Sequence, residues 1–343
     1  MTVPADILRD ERDLPDEGLR DLLLTEDPAP VERLRGNARE VQEANFGRKV
    51  WLRALIEWTN ACRKDCLYCG IRRSNAHIHR YTLTREEILS CCEKAWRLGL
   101  RSFVLQGGEN PAADKNVLAG AVAEIRSAWP DATISLSVGE LPRETYALLK
   151  RNGAERFLLR HETASEAHYN RLHPAGTTLE HRLQCLRDLR AEGFLIGMGM
   201  MVGSPFQTID DLIRDLRLIQ AFQPEMIGLG PFVPQKDTPL GGYPAGSTDL
   251  TLRLYSILRL MHPKAYIPST TALSTLMRGG RMAGILSGAN VIMPNFTPAK
   301  YREEYSLYDG KNNSSVESEQ ILAQIRQEIT DIAYAAPHGL GAF

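Results

Sequence analysis

Eight short apolar runs, each followed by a longer polar or amphipathic stretch, constrain the fold of this chain more than any other feature. Most of the runs are rich in leucine or β-branched residues, and each is short enough to be a buried strand. They occupy residues 50–58, 102–106, 133–138, 156–160, 194–202, 226–232, 265–269 and 290–294. Because strands that alternate with helices form parallel sheets, eight such units in a row favour an α/β fold, a (β/α)8 barrel of the TIM type. A doubly wound sheet is the alternative, since alternation alone is compatible with both.

The stretches between the runs carry the signals of helix ends. Thr84 stands three residues before Glu87, which is the spacing of a capping box, and Thr178 shortly before Glu180 also supports a helix start. Glycines directly before a new strand mark helix ends, at Gly99, Gly153 and Gly193. The predicted helices are 84–99, 115–129, 142–152, 178–193, 208–222 and 249–262.

The barrel is predicted to occupy residues 46–310 of the 343-residue chain. We expect residues 1–45 to form an N-terminal helical extension, which the segment "EDPAP" at 26–30 interrupts. Residues 311–343 are expected to be a C-terminal tail that packs on the barrel with one amphipathic helix, at 316–333.

Charge and cysteine content limit the partners and the compartment. Lys and Arg total 41 and Asp and Glu total 42, so the net charge of -1 favours neither nucleic acid nor an anionic membrane as a partner. The N-terminus lacks the apolar core of a signal peptide, and no run of about 18 apolar residues predicts a membrane span. Six cysteines in a chain of this length do not predict a disulfide framework, so we expect a reducing, cytoplasmic location.

Three of the cysteines follow the first predicted strand, with the spacing C-x3-C-x2-C: Cys62, Cys66 and Cys69. A structural zinc ion needs four nitrogen or sulfur ligands, and His77 or His79 offers a fourth, so zinc is one interpretation. Simple packing of small buried residues is another, but it explains neither the spacing nor the charged residues between the thiols. The third is an iron–sulfur cluster. Thiolates hold such clusters, usually four of them, and with three thiolates one iron is left to bind a small molecule.

The segment "CRKDCLYCG" resembles the C-x3-C-x-aromatic-C signature of the radical S-adenosylmethionine (SAM) superfamily. The resemblance implies one [4Fe–4S] cluster with Cys62, Cys66 and Cys69 as its ligands, and S-adenosyl-L-methionine bound to the open iron. In this superfamily an electron from the cluster cleaves the sulfonium and gives a 5′-deoxyadenosyl radical, so the cofactor supplies the chemistry. An electron donor such as a ferredoxin or flavodoxin is then also implied.

Segments with polar or charged residues follow several of the predicted strands. The active site of such a barrel lies at these carboxyl ends of the strands. "QGGE" follows the second strand, and the resemblance implies that it binds the amino group of the methionine moiety; a plain turn is the alternative. By the same resemblance Glu162 faces the ribose or amino group. Arg182 pairs with the cofactor carboxylate, unless it is a surface arginine of its helix. The predicted cofactor-binding residues are Tyr68, Gln106, Gly107, Gly108, Glu109, Ser137, Glu162, Arg182 and Met201.

A second group of residues is assigned to the substrate. Arg160 opens "RHET" after the fourth strand, and a guanidinium suits an anionic substrate. Thr270, Thr271 and Tyr308 complete the predicted catalytic set, although threonines after a strand can equally be turn caps. His161 is expected to be structural. The remaining cysteines are read as packing residues within helices, at Cys91, Cys92 and Cys185.

Longer segments narrow the resemblance to one family. "LLRHETA", "GPFVPQKDTPL", "IPSTTA" and "GANVIMPNFTP" resemble the HydE family of [FeFe]-hydrogenase maturases. That family acts in assembly of the H-cluster, by radical attack on sulfur of a small cysteine-derived iron complex, and this implies other hydrogenase maturases as partners. A methylornithine synthase-like mutase acting on an amino acid is the alternative, but "IRRSN" and "PNFTP" favour the maturase.

The positions without cysteine limit the choice of family and the number of clusters. A biotin synthase is not expected, because no cysteine is left at the strand ends for an auxiliary cluster. The tail has no cysteine for a second, peripheral cluster either, so one cluster is predicted. A non-catalytic metal-binding protein is the alternative from another class.

Overall fold

The computed structural model describes residues 4–110, 115–311 and 317–337, and strands alternate with helices through most of its length. The strands are β1 (Trp51–Leu52), β2 (Ala54–Thr59), β3 (Ser102–Gly107), β4 (Thr133–Ser137), β5 (Arg156–Leu158), β6 (Leu195–Met198), β7 (Met201–Val202), β8 (Met226–Ile227), β9 (Gly230–Pro231) and β10 (Val291–Ile292). The helices are α1 (Pro4–Glu11), α2 (Asp16–Leu24), α3 (Pro28–Phe46), α4 (Arg85–Arg97), α5 (Lys115–Ala128), α6 (Arg143–Arg151), α7 (Glu166–Leu172), α8 (Leu179–Ala191), α9 (Ile209–Phe222), α10 (Thr248–Met261), α11 (Thr271–Leu276), α12 (Gly280–Leu286), α13 (Ala299–Arg302) and α14 (Ser318–Asp331).

The strands close into a ring. Six of them form one parallel sheet in the order β2-β3-β4-β5-β6-β8. The ring is completed by the parallel pairing of β10 with β1 and by single parallel bridges from Met226 to Tyr266, from Pro268 to Val291 and from Leu55 to Asn295. All eight predicted runs contribute, the seventh through bridges alone. The predicted barrel is confirmed, and the doubly wound sheet is excluded because such a sheet has two open edges.

Two of the predicted strands are interrupted halfway. The run 194–202 divides into β6 and β7, and the run 226–232 divides into β8 and β9. The breaks lie against each other: a Cβ atom on Gly199, whose φ is +156°, would stand 1.8 Å from the carbonyl oxygen of Gly228. Only glycine tolerates that approach, so the two strands bend where their backbones are in contact.

Helix starts follow the predicted caps. Thr84 and Glu87 form a complete capping box at α4, and the Thr178 side chain accepts from the backbone N–H of His181 at α8. Helix α4 packs against β2, and β2 is buried at every position. Four short helices were not predicted: α7 after β5, α11 and α12 between α10 and β10, and α13 after β10.

The N-terminal helices and the tail share the apolar core of the barrel. Leu8 and Leu34 from α1 and α3 belong to the same buried cluster as Ile325 of α14. The extension is also fastened by Arg253 of α10, which donates to the carbonyl oxygens of Leu23 and Thr25. The division into three segments stays a prediction, and the expected start of the tail helix at 316 lies outside the described residues. None of the described helices has the length and apolarity to cross a membrane.

We predict that Gly199→Ala destabilises the fold by roughly 3 kcal/mol, because the new methyl group collides with the backbone of Gly228. Gly36→Ala is the matched control. Apart from the backbone of its own helix, α3, no atom lies within 4 Å of its Cβ position, so this variant should gain up to about 1 kcal/mol. Urea unfolding measures both changes. Similar stabilities for the two variants would contradict the role assigned to the Gly199–Gly228 contact.

Candidate active site

A cavity of about 400 Å³ lies at the carboxyl ends of the barrel strands. Every residue predicted from the sequence to hold the cofactor, the iron or the substrate lines its wall: Cys62, Cys66, Tyr68, Cys69, Gln106, Gly107, Gly108, Glu109, Ser137, Arg160, Glu162, Arg182, Met201, Thr270, Thr271 and Tyr308. The fold thus brings the whole predicted set to one place. The role assigned to each residue stays a prediction.

The three thiols of the cysteine segment line this cavity as free, half-buried side chains. Burial raises the pKa of the Cys66 thiol to about 12 and also raises the pKa values of Cys62 and Cys69. Because iron binds the thiolate, ligand binding here must displace protons. Cys91, Cys92 and Cys185 are buried in α4 and α8, as the packing interpretation requires.

Zinc receives no support from this arrangement. Among the described residues, no three side chains of His, Cys, Asp or Glu form a group that would hold a single metal ion. His77 and His79, the candidate fourth ligands, are exposed, and neither belongs to the described wall of the cavity.

Asp65, between the first two thiols, organises the loop that carries them. Its carboxylate accepts from the Arg72 guanidinium, with Nε at 2.7 Å, and from both the backbone N–H and the hydroxyl of Ser74. The hydrogen bond from Arg72 is the main reason why the pKa of Asp65 lies well below its ordinary value. Two residues of "IRRSN" therefore fold back onto the cysteine segment.

Two glycines let β3 end directly against the cysteine loop. A Cβ atom on Gly108 would lie 2.4 Å from the carbonyl oxygen of Ala61 and 2.7 Å from Cβ of Cys62. A Cβ atom on Gly107 would lie 2.3 Å from Nε1 of Trp58. No larger residue fits at either position, and this explains the glycine pair in "QGGE".

Glu109, the last residue of "QGGE", is fixed by the chain around it. Its carboxylate accepts from the backbone N–H of Glu140 at 2.9 Å and from Nε of Arg63 at 3.0 Å. Gly139 has φ of +81°, and a Cβ atom there would lie 2.1 Å from Cγ of Glu109. The side chain is thus oriented before any ligand binds.

Glu140 is a functional candidate that the sequence analysis missed. It is buried, with Nε of Arg182 3.0 Å from Oε1 and Nζ of Lys64 2.5 Å from Oε2. Burial alone would raise the pKa of Glu140, but Arg182 and Lys64 outweigh that effect and lower it. The only signal in the sequence was a carboxylate directly after the third strand.

Arg182 is buried and faces the cavity, so the alternative of a surface helical arginine is wrong. Its Nε is close to Glu140 but makes no hydrogen bond, although it is fully shielded from solvent. Nε of Arg160 is likewise buried without a hydrogen-bond partner in the described structure. Both guanidinium groups line the cavity and each is paired with a carboxylate of the chain, Arg182 with Glu140 and Arg160 with Glu162.

The "RHET" turn holds a strained residue. Glu162 has φ of +68°, which is rare for a residue other than glycine and costs on the order of 1 kcal/mol. Its backbone is held by neighbouring strands, since its N–H donates to Gly199 and its carbonyl accepts from Met201. Nη2 of Arg160 lies 2.8 Å from the Glu162 carboxylate.

His161 stabilises the "RHET" turn from outside the cavity. Its Nε2 lies 3.0 Å from Oδ1 of Asp215 on α9, and the same oxygen accepts from the backbone N–H of Ala164. Both side chains are completely buried. Asp215 thereby clamps the turn on both sides of Glu162, which is the structural role expected for His161.

A second ion pair at the wall was also missed. Glu57 of β2 pairs with Lys311, whose ammonium group also donates to the carbonyl of Tyr305 at 2.8 Å. Nδ2 of Asn295 donates to the same carboxylate at 2.9 Å. A glutamate inside the apolar strand "ALIEWT" was a usable signal, whereas nothing in the tail distinguished Lys311.

The predicted substrate residues lie on the side of the cavity formed by later strands and the tail. The backbone N–H of Thr270 donates to the Tyr255 hydroxyl at 3.2 Å, and Thr271 begins α11. Tyr308 is half-buried at the wall, and desolvation raises the pKa of its hydroxyl, which stays protonated. These groups offer hydroxyl hydrogen bonds beside the Arg160 guanidinium.

Three comparisons relate the chain to known proteins. The sequence profile of the radical SAM superfamily matches residues 56–219. The [FeFe] hydrogenase maturase subunit HydE of Thermotoga maritima is 43% identical over 302 residues, which are 88% of this chain and 86% of that protein. A 3-methylornithine synthase of Methanosarcina barkeri is 30% identical over 298 residues, 86% of this chain and 83% of that protein. Among solved structures, methylornithine synthase (PylB) aligns with a TM-score of 0.82 at 25% identity, covering 97% of both chains.

We predict that Glu140→Gln changes the pH dependence of stability. Neighbouring cations hold the pKa of Glu140 below its ordinary value, so its ionised form stabilises the fold above the unfolded-state pKa of about 4.3. That contribution is lost as the pH falls through the lower folded-state pKa. The variant should be less stable at pH 7, by about 3 kcal/mol because two cations lose their partner, and its stability should fall less steeply below about pH 4.5.

Urea unfolding across this pH range measures both effects. Glu144→Gln, which removes an exposed carboxylate on α6, is the matched control and should follow the unsubstituted chain. If the stabilities of E140Q and the unsubstituted chain changed with pH in the same way, ionisation of Glu140 would not contribute to the pH dependence of stability.

Proposed function

The chain belongs to the radical SAM superfamily, and we propose that within it this enzyme is a maturase of the HydE type, which acts in assembly of the H-cluster of [FeFe]-hydrogenase. One observation carries the proposal: 43% identity to a HydE along 88% of the chain, with the cysteine segment at the wall of the barrel cavity. At that identity and coverage, a shared fold and a shared site are expected together.

We infer that Cys62, Cys66 and Cys69 hold one [4Fe–4S] cluster. The donor set fits, because all three side chains are free thiols on one loop and face one cavity. The close approach of Gly108 to Cys62 brings the end of β3 next to the thiols. SAM is proposed to bind beside the cluster, along the wall formed by the predicted cofactor-binding residues.

Cluster and cofactor together supply an electron and, from SAM, the 5′-deoxyadenosyl radical. The side chains of this protein orient the reactants. Glu109 and Glu162 present fixed carboxylates to the cofactor amino and ribose groups, and the Arg182 guanidinium at the cavity wall is the proposed partner of its carboxylate. Because Glu140 balances Arg182, the guanidinium is held in place before the ligand arrives.

The substrate is proposed to bind on the far side of the cavity, against Arg160, Thr270, Thr271 and Tyr308. The Arg160 guanidinium at the cavity wall suits the carboxylate of a small cysteine-derived iron complex. Asn295 and the Glu57–Lys311 pair add polar groups to the same wall. An electron donor, such as a ferredoxin or flavodoxin, and other hydrogenase maturases are the proposed partners, and the cytoplasm is the proposed compartment.

Methylornithine synthase is the second candidate. A TM-score of 0.82 to PylB and 30% identity to the Methanosarcina enzyme favour it as a related mutase with the same scaffold. An amino-acid substrate would use the same cationic and hydroxyl groups, so substrate tests have to separate the two candidates.

We predict that the chain, reconstituted with iron and sulfide under anaerobic conditions, binds about four irons. After reduction it should convert SAM to 5′-deoxyadenosine, measured by chromatography. Each of Cys62→Ala, Cys66→Ala and Cys69→Ala should abolish the cluster absorbance and the product, because no other thiol lies on the cavity wall described. Cys185→Ala, a buried thiol on α8, is the matched control and should retain both.

Added to an inactive [FeFe]-hydrogenase with the other maturases, the chain should restore hydrogen evolution, and it should form no methylornithine from an amino acid. Formation of methylornithine without activation of the hydrogenase would establish the mutase. A colourless chain with one zinc ion would overturn both candidates.

We predict that Arg160→Lys lowers kcat/KM for the substrate about ten- to hundredfold. Lysine keeps the charge but loses the planar fork, and a hydrogen bond to a charged group is worth about 1.5–3 kcal/mol. The measurement is substrate-dependent 5′-deoxyadenosine formation in the hydrogenase maturation assay. Arg214→Lys, an exposed arginine of α9, is the control. An equal fall in substrate-independent SAM cleavage would instead assign Arg160 to the cofactor.

A further inference from the structure

Carbonyl groups on both sides of the cysteine segment converge on one guanidinium, that of Arg80. Its Nη1 donates to the carbonyls of Asn60 at 2.7 Å and Ile71 at 2.8 Å. Its Nη2 donates to those of Arg72 at 2.6 Å and Asn75 at 3.0 Å. Since Asn60 precedes the first thiol and Ile71 follows the last, this one side chain ties the two ends of the loop together.

Asn75 adds a contact inside the loop. Its side chain is buried, with Nδ2 donating to the carbonyl of Gly70 at 2.7 Å and Oδ1 accepting from the backbone N–H of His77 at 2.9 Å. The carbonyl of Gly70 and the N–H of Ile71 belong to one trans peptide, and in such a peptide the two groups point in opposite directions. A fixed carbonyl therefore fixes the N–H.

That N–H points to sulfur. The backbone of Ile71 forms a hydrogen bond with the Cys69 thiol, and the backbones of Lys64 and Glu109 do so with the Cys62 thiol. The Arg80 guanidinium also places a positive charge at the base of this loop, since it donates to carbonyls on both sides of the thiols. Hence the polar contacts of the loop direct donors and positive charge toward the sulfurs.

We propose that Arg80 and Asn75 are positioning residues for the cluster, which hold the cysteine loop so that backbone N–H groups face the ligand sulfurs. By this means they determine how firmly iron is retained and at what potential the cluster is reduced. The proposal rests on the three-thiol cluster of the proposed function, and it is independent of the substrate.

The expected direction follows from charge. Reduction adds an electron to a cluster bound by thiolates, and hydrogen bonds to the sulfurs together with a nearby cation stabilise the more negative state. Loss of either residue should therefore make the cluster harder to reduce. Loss of Arg80 should also loosen both ends of the loop, so iron should be released sooner.

Arg80→Gln removes the positive charge, whereas Arg80→Lys keeps the charge but loses the planar guanidinium group. The reconstituted variants are compared for iron release to a chelator and for midpoint potential, followed by electron paramagnetic resonance during a redox titration. R80Q should release iron several-fold faster and have a more negative potential. R80K should also release iron faster, with a smaller change in potential. Arg73→Gln is the matched control, because Arg73 is exposed on the same loop and no hydrogen bond or ion pair of its side chain is found among the described residues.

Asn75→Ala tests the oriented peptide. It should shift the potential to more negative values even in the fraction that keeps a full cluster, which a role confined to stability would not do. Arg73→Gln is again the control, since it leaves the Gly70–Ile71 peptide held by Asn75.

Potentials and iron release equal to those of the unsubstituted chain in R80Q and Asn75→Ala would overturn the proposal. If R80Q does not fold, R80K and Asn75→Ala decide between the same outcomes. An unsubstituted chain that takes up no cluster would instead overturn the proposed function.

Discussion

Closure of the parallel ring is the constraint on which the site depends. All strand carboxyl ends then open at one end of the barrel, so the loops after them meet around one cavity. Buried charges collect there, and each is costly unless it is paired. The chain pairs them with its own residues, as Glu57 with Lys311 and Glu140 with Arg182. The polar wall is therefore oriented in advance, and a ligand that binds does not have to reorganise it.

Most of the fold was predictable because its signals are local. Strand length, amphipathic spacing and caps such as Thr84 are read within a few residues, and the barrel follows from their order. The breaks after β6 and β8 were not predictable, because they arise where Gly199 meets Gly228, residues of different strands. The seventh strand is reduced to bridges for a similar reason: its pairing depends on neighbours distant in sequence.

The candidate site divides in the same way. Its motif residues were found because they stand together in the chain, and the glycines of "QGGE" gain a physical reason from the contact of Gly108 with Cys62. Glu140 and Lys311 were missed, since each is defined by a partner far away in the sequence. Fold alone does not choose between a maturase and a mutase, because both relatives share the scaffold. That choice lies with the side chains on the substrate side of the cavity.

The cysteine loop differs from small zinc domains in how it is ordered. Such domains take their folding free energy from the metal, whereas this loop lies on a barrel with a complete apolar core and is tied by polar contacts that do not involve thiols. The free energy of cluster binding is then not reduced by the entropic cost of ordering the loop. The remaining cysteines stay buried in α4 and α8, where helix geometry keeps their thiols out of the cavity wall described here. On the proposed three-thiol ligation, the open iron position is therefore built by the fold, which keeps a fourth thiol out of reach.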